Sequence, residues 1–180
     1  MAVRKRSETI HLRTTPFVRS TLDVLAALNG KTATAVIEDL LSLAISETEL
    51  PAPNFIQEKK IVNGRINLKE LMESIYTDNA LLFKLRLFIL VPDAVSEDDK
   101  IMCEIILEDL ARPASIFRGE EKIFDEKCGG VVKSKQLPSI DTLTLGSSEN
   151  VLKRYVDFIK KNPDIEIDYK GFIHTIFFKN

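Results

Sequence analysis

Three polar side chains of different chemistry alternate near the start of the chain, namely Thr9, His11 and Arg13. Ile10 and Leu12 stand between them, so the two sets point to opposite sides of an extended segment. The polar face presents a hydroxyl, an imidazole and a guanidinium, all of which form hydrogen bonds with a partner. The solvated face of an ordinary edge strand has the same alternation, so the choice between these interpretations depends on the elements that follow.

Residues suited to covalent or metal chemistry are few. The chain has two cysteines, Cys103 and Cys128, and two histidines, His11 and His174, with no CxxC or HxxxH pair. A zinc site needs three or four well-spaced nitrogen or sulfur ligands, and a nucleophilic Cys128 would need a base within reach. We therefore expect no enzyme activity, no metal and no cofactor, and two reduced thiols.

Two short helices are predicted after a strand over residues 9–14. Pro16 suits the first turn of a helix, which Asn29 and Gly30 then end. Thr32 is a good N-cap for a second helix, reaching about residue 45. The apolar stripe of the first helix is Val18, Leu22, Leu25 and Leu28, and the second has a wider apolar face of Val36, Ile37, Leu40, Leu41 and Ala44.

A unit of one strand and two helices within ~40 residues buries too little apolar surface to fold alone. Two copies would solve this problem by pairing their strands antiparallel, with Ile10 and Leu12 facing four helices. Such a two-stranded ribbon fits the major groove of B-DNA. The front of the chain is also cationic, because the first 20 residues hold five basic side chains and only one acidic side chain, Glu8.

The order of these features resembles the ribbon–helix–helix family of DNA-binding proteins, of Arc and MetJ type, over residues 8–46. The matching features are the strand with an outward Arg, the Pro at helix entry, the Gly-containing turn, the following hydroxyl and the Val-Ile pair. The resemblance implies that Thr9, His11 and Arg13 contact base edges. It also implies phosphate contacts from a basic arm and the start of the second helix: Arg4, Lys5, Arg6, Lys31, Thr32, Ala33 and Thr34. Many members have a small polar residue where His11 stands, so base preference does not transfer.

The rest of the chain is predicted to be a linker over residues 49–56 and an α+β domain over residues 57–180. We expect a helix over 68–76 capped by Asn67 or a neighbour, and a strand over 80–91 whose polar face includes Lys84 and Arg86. A helix from Ser96 to Pro113, strands and loops over 114–147, and a helix begun by Ser148 follow. The last element is a hairpin over 165–178 that turns at Lys170 and Gly171.

The sequence thus predicts a cytoplasmic, dimeric DNA-binding protein in which residues 1–48 bind double-stranded DNA and the second domain serves oligomerisation, an effector or a protein partner. A transcriptional repressor is the first hypothesis, as a dimer or a higher oligomer. An antitoxin, or a plasmid partition or transfer accessory protein, is the alternative, and a protein-interaction module without a DNA role is a third. Some members of this family sense nickel at a site built from several histidines and a cysteine. This chain has too few histidines for such a site, so nickel sensing is not expected. No apolar run is long enough to span a bilayer, so no membrane partner is expected.

Overall fold

The computed structural model of the chain describes residues 11–133 and 137–178, with side chains as far as residue 177. These residues form an α+β fold with seven α-helices and two small antiparallel sheets. The chain divides into two compact units, and the division falls between Glu47 and Thr48. Within the described ranges, no helix is long and apolar enough to cross a membrane.

The first unit contains helices α1 (Pro16–Leu28) and α2 (Ala33–Glu47), as predicted to within two residues at each end. Helix α1 begins as expected, with Pro16 in its first turn and the Thr15 hydroxyl accepting a hydrogen bond from the Val18 amide at 3.3 Å. Residues 11–15 have no regular secondary structure. A strand needs a partner for its backbone groups, and the predicted partner is a second copy. The other predicted strand positions, 9 and 10, lie outside the described residues.

The second unit begins with a hairpin where a linker was predicted. Strand β1 (Glu49–Pro51) pairs antiparallel with β2 (Arg65–Asn67), placing Leu50 opposite the buried Ile66. Residues 52–64 lie between the two strands, and at their end Asn63 and Gly64, with φ 52° and 75°, form a tight turn that pairs Val62 with Arg65 in an isolated antiparallel bridge. The prolines that indicated a linker are compatible with an edge strand.

Five helices and a second small sheet complete this unit. The helices are α3 (Leu68–Ile75), α4 (Ala80–Leu90), α5 (Glu97–Ala111), α6 (Thr142–Lys161) and α7 (Tyr169–Phe178). Strands β3 (Glu121–Lys122) and β4 (Ser139–Ile140) pair antiparallel. Helices α4, α5 and α6 pack against one another, and α7 packs on α6. The predicted caps of α3 and α5 are confirmed, because the Asn67 and Ser96 side chains accept from the amides of Glu70 and Asp99, both at 3.3 Å.

The predicted strand over residues 80–91 is wrong, because α4 occupies this run. The Asn79 side chain caps it by accepting from the Leu82 amide at 3.0 Å. The run is rich in leucine, a strong helix former, and is apolar on nearly every face, so it matches both periodicities. Arg86, predicted on a polar strand face, is instead buried.

The last two predicted elements are also wrong in part. Helix α6 begins six residues before Ser148, because Asp141 Oδ1 caps it by accepting from the amides of Leu143 and Thr144, both at 3.0 Å. The hairpin over 165–178 is replaced by α7. Asp168 Oδ1 accepts from the Gly171 amide at 2.8 Å, so this glycine lies in a helical first turn.

An aromatic cluster joins α6 and α7 to the segment before β3. The ring of Tyr169 stacks on Phe117, with centroids 5.9 Å apart, and lies 5.4 Å from Tyr155. Phe172 lies 5.1 Å from Tyr155 and 5.2 Å from the Phe158 ring. The Tyr155 hydroxyl donates to the Ile167 carbonyl at 2.7 Å, so the cluster also holds the loop that precedes α7.

Candidate nucleic-acid interface

The structure places only some of the predicted contact residues. Arg4, Lys5, Arg6 and Thr9 lie outside the described residues. His11 and Arg13 are both exposed, in the segment without regular structure that precedes α1. Their side chains are thus accessible in the single chain.

The turn between α1 and α2 is closed by backbone hydrogen bonds from Gly30 and Lys31. Gly30 has φ +61°, in the left-handed region that favours glycine. Its amide donates to the Ala27 carbonyl at 3.2 Å, and the Lys31 amide donates to the Ala26 carbonyl at 2.9 Å. These two bonds are those of a Schellman motif, with Asn29 at the C-cap. The glycine predicted to end the helix therefore also sets the direction in which the chain enters α2.

The start of α2 is capped by Thr32. Its hydroxyl accepts from the Ala35 amide at 3.2 Å, and its carbonyl accepts from the Val36 amide at 3.0 Å. The amides of Ala33 and Thr34 belong to the first turn, where a helix leaves its N–H groups without intrahelical partners. The first turn of α2 holds no acidic side chain. This end of the helix therefore combines free donors with the positive end of the helix dipole, as anion binding requires.

Lys31 has a protein partner that the sequence analysis missed. Its ammonium lies 2.5 Å from Asp39 Oδ2, and the two side chains are 48% and 58% exposed. The residues are eight apart, outside the three- and four-residue spacings that signal ion pairs on one helix. Lys31 lies before the Thr32 cap, so the path of the chain into α2 places its ammonium beside Asp39.

The first unit leaves most of its large apolar side chains exposed. Of its described residues, only Ala26 and Val36 are buried. Leu28, Leu40 and Leu41 are 79%, 54% and 59% exposed. The other exposed large apolar residues of the unit are Leu12, Phe17, Val18, Val24, Leu25 and Leu43. An apolar surface of this extent is typical of a protein–protein contact.

The cysteines and the second histidine do not form a reactive group. Burial raises the pKa of the Cys103 thiol to about 12 and that of Cys128 to about 11, so both are protonated at neutral pH. His174 is exposed on α7 rather than in the predicted strand. No group of three or more metal-binding side chains occurs within the described ranges.

No protein-family model matches the chain, and neither the curated proteins nor the solved structures give a significant match.

Proposed function

We propose that this chain is a dimeric, sequence-specific DNA-binding protein that represses transcription by occupying an operator. Its first unit would be a ribbon–helix–helix module, and its second unit a separate domain. The observation that carries the proposal is the exposed apolar surface of a two-helix unit, which an alternating, cationic segment that the sequence predicts as a strand precedes.

The occupant of this apolar surface is a second copy of the chain. Fully burying one leucine stabilises a protein by roughly 1.5–3 kcal/mol, so several exposed leucines give a strong drive to associate. Residues 11–14 are the described part of the predicted strand 9–14, and among the described residues they pair with no other strand. A second copy supplies both the strand partner and the apolar cover, whereas an unrelated protein would have to supply them separately.

The DNA contacts follow from the same assembly. Thr9, His11 and Arg13 would face the major groove from both strands and read base edges. The capped start of α2 would hold a phosphate through the amides of Ala33 and Thr34. Phosphate contacts fix the register of the ribbon in the groove, while the base contacts determine sequence preference.

The folded second unit favours a regulator over an antitoxin. Segments that hold toxins are often disordered until bound, whereas residues after Thr48 have a core of buried side chains from α3 to α7. A second domain of this kind would add oligomer contacts or bind an effector or protein partner.

Selection of bound duplexes from a random DNA pool at ~150 mM salt tests the proposal, because nonspecific binding is weak at physiological salt. We expect an enriched motif with two related half-sites. Weak, salt-sensitive binding without enrichment would overturn the proposal and favour the interaction module without a DNA role.

Arg13→Ala then tests the ribbon directly. We expect it to cost about 1–3 kcal/mol on the selected site and to relax base preference at one position in each half-site. Arg19→Ala is the matched control, because Arg19 is exposed on α1 and pairs with Asp23 at 3.3 Å. Lys5→Ala should instead weaken binding to all sequences about equally. If Arg13→Ala binds every sequence as tightly as the parent, the ribbon is not the contact surface.

A further inference from the structure

The ion pair between Lys31 and Asp39 lies where the proposed function places a phosphate. Lys31 is the residue before the Thr32 cap, and Asp39 lies in the second turn of α2. The 2.5 Å separation means that the ammonium is already held by a carboxylate in the unbound chain.

Binding to DNA therefore requires an exchange of anions at Lys31. The ammonium has to leave Asp39 to meet a phosphate, and the carboxylate then remains nearby as a charge of the same sign as the phosphate. Exposed ion pairs are weak and screened by salt, so phosphate can displace Asp39, but at a cost in affinity.

We propose, on the basis of the proposed function, that Asp39 competes with DNA phosphate for Lys31 and thereby limits the sequence-independent affinity of the protein. Asp39 is a positioning residue in this scheme, because it acts on DNA only through Lys31. The amides of Ala33 and Thr34 remain available to phosphate in either state, so only the Lys31 contact depends on the exchange.

The test measures binding of the full chain to a labelled duplex of random sequence across a salt series. Asp39→Asn should tighten binding by roughly 2- to 5-fold per protomer, as expected for removal of an exposed ion pair. The plot of the logarithm of the binding constant against the logarithm of the salt concentration should become steeper by up to about 0.9 per protomer. The reason is that Lys31, released from Asp39, then neutralises one more phosphate.

Glu38→Gln is the matched control. Glu38 is an exposed neighbour of Asp39 on α2, and among the described contacts its carboxylate does not pair with Lys31. Both substitutions change the charge equally. Both substitutions are also made in a Lys31→Met protein. There, Asp39→Asn should no longer tighten DNA binding more than Glu38→Gln does.

Equal tightening by Asp39→Asn and Glu38→Gln would overturn this inference and leave net charge as the whole effect. Survival of the Asp39→Asn advantage in Lys31→Met would also overturn it, because the effect would not pass through Lys31. Either result leaves the proposed function in place. Failure of the unaltered protein to bind duplex DNA would instead overturn the proposed function, and this inference with it.

Discussion

The guanidinium of Arg86 donates a hydrogen bond to Asp125 Oδ2 at 3.0 Å, although the arginine side chain is 2% exposed and the aspartate side chain 45%. Arg86 also donates to the backbone carbonyls of Ile123 and Ile75, at 2.6 Å and 3.1 Å. One buried cation therefore joins α4 to the end of α3 and to the loop after β3.

Arg86→Met should be among the most destabilising single changes in the second unit. Methionine fills much of the same space but leaves two buried carbonyls without donors, so we expect a loss of about 2–4 kcal/mol in the free energy of unfolding. Asp125→Asn should cost less, because that side chain is half-exposed and an amide oxygen can still accept. Urea unfolding followed by far-UV circular dichroism measures both, and an Arg86→Met protein as stable as the parent would contradict the assignment.

Acid should destabilise the second unit through three aspartates whose pKa lies below the ordinary value. Hydrogen bonds from Thr144 lower the pKa of Asp141, and the Gly171 amide lowers that of Asp168. Burial opposes ionisation of Asp125, but hydrogen bonds from Arg86 and the Cys128 amide outweigh it and lower its pKa.

The sign of the pH effect follows from this direction. Each carboxylate contributes its full stability above the unfolded pKa of about 3.9 and loses it as the pH falls through the lower folded pKa. We expect Asp141→Asn, which still caps α6, to flatten the fall in stability below about pH 4. Urea midpoints across a pH series measure this effect, and an unchanged slope would show that Asp141 does not contribute to it.

Gly119 should tolerate no side chain. A Cβ there would lie 2.6 Å from the Asp141 amide nitrogen and 2.7 Å from its Cα, both backbone atoms. We expect Gly119→Ala to cost about 1–3 kcal/mol, in the range of overpacking. Gly129→Ala is the control, since a Cβ at that glycine meets nothing within 4 Å. Equal thermal midpoints for the two variants would refute the close approach.

Leu41→Glu should dissociate the proposed dimer, whereas Ser42→Glu should not. Both residues are exposed neighbours on α2, but Leu41 lies on its apolar face and Ser42 on the opposite polar side. Sedimentation velocity of the full chain measures the outcome. A dimer that survives Leu41→Glu would exclude this face from the interface, and a monomeric parent would exclude the proposed assembly altogether.

Cys103 and Cys128 should react with thiol reagents only when the second unit opens. Both are buried, and their raised pKa values leave almost no thiolate at neutral pH. We expect labelling in native conditions to be slow and to accelerate in urea along the unfolding curve. Fast labelling of either thiol in the native protein would be inconsistent with its burial.

Local signals in the sequence predicted the elements that have specific ends. Pro16, Gly30 and Thr32 defined α1 and α2, and Asn67 and Ser96 defined the starts of α3 and α5. In each case a side chain or a glycine satisfies the backbone within a few residues, so the information is local.

The errors arose where tertiary burial determines the structure. The run over residues 80–91 is apolar on both sides, so its sequence fits a buried strand and a buried helix equally well. Its packing against α5 and α6, which the local sequence does not reveal, determines that it is the helix α4. Similarly, Asp168 caps α7 beside a glycine that equally suits a turn. The pairing of Lys31 with Asp39 depends on the conformation of the residues that lead into α2, which spacing along one helix does not reveal.

The aromatic cluster gives the two units different spectroscopic signatures. The chain has no tryptophan, and its three tyrosines are Tyr76, Tyr155 and Tyr169, all after the division at Thr48. Tyrosine fluorescence and near-ultraviolet dichroism near 280 nm therefore report on the second unit alone, whereas the far-ultraviolet signal sums both. Comparing the two signals during dilution or denaturation separates structural loss in the first unit, proposed to form the dimer, from unfolding of the second unit, without any label.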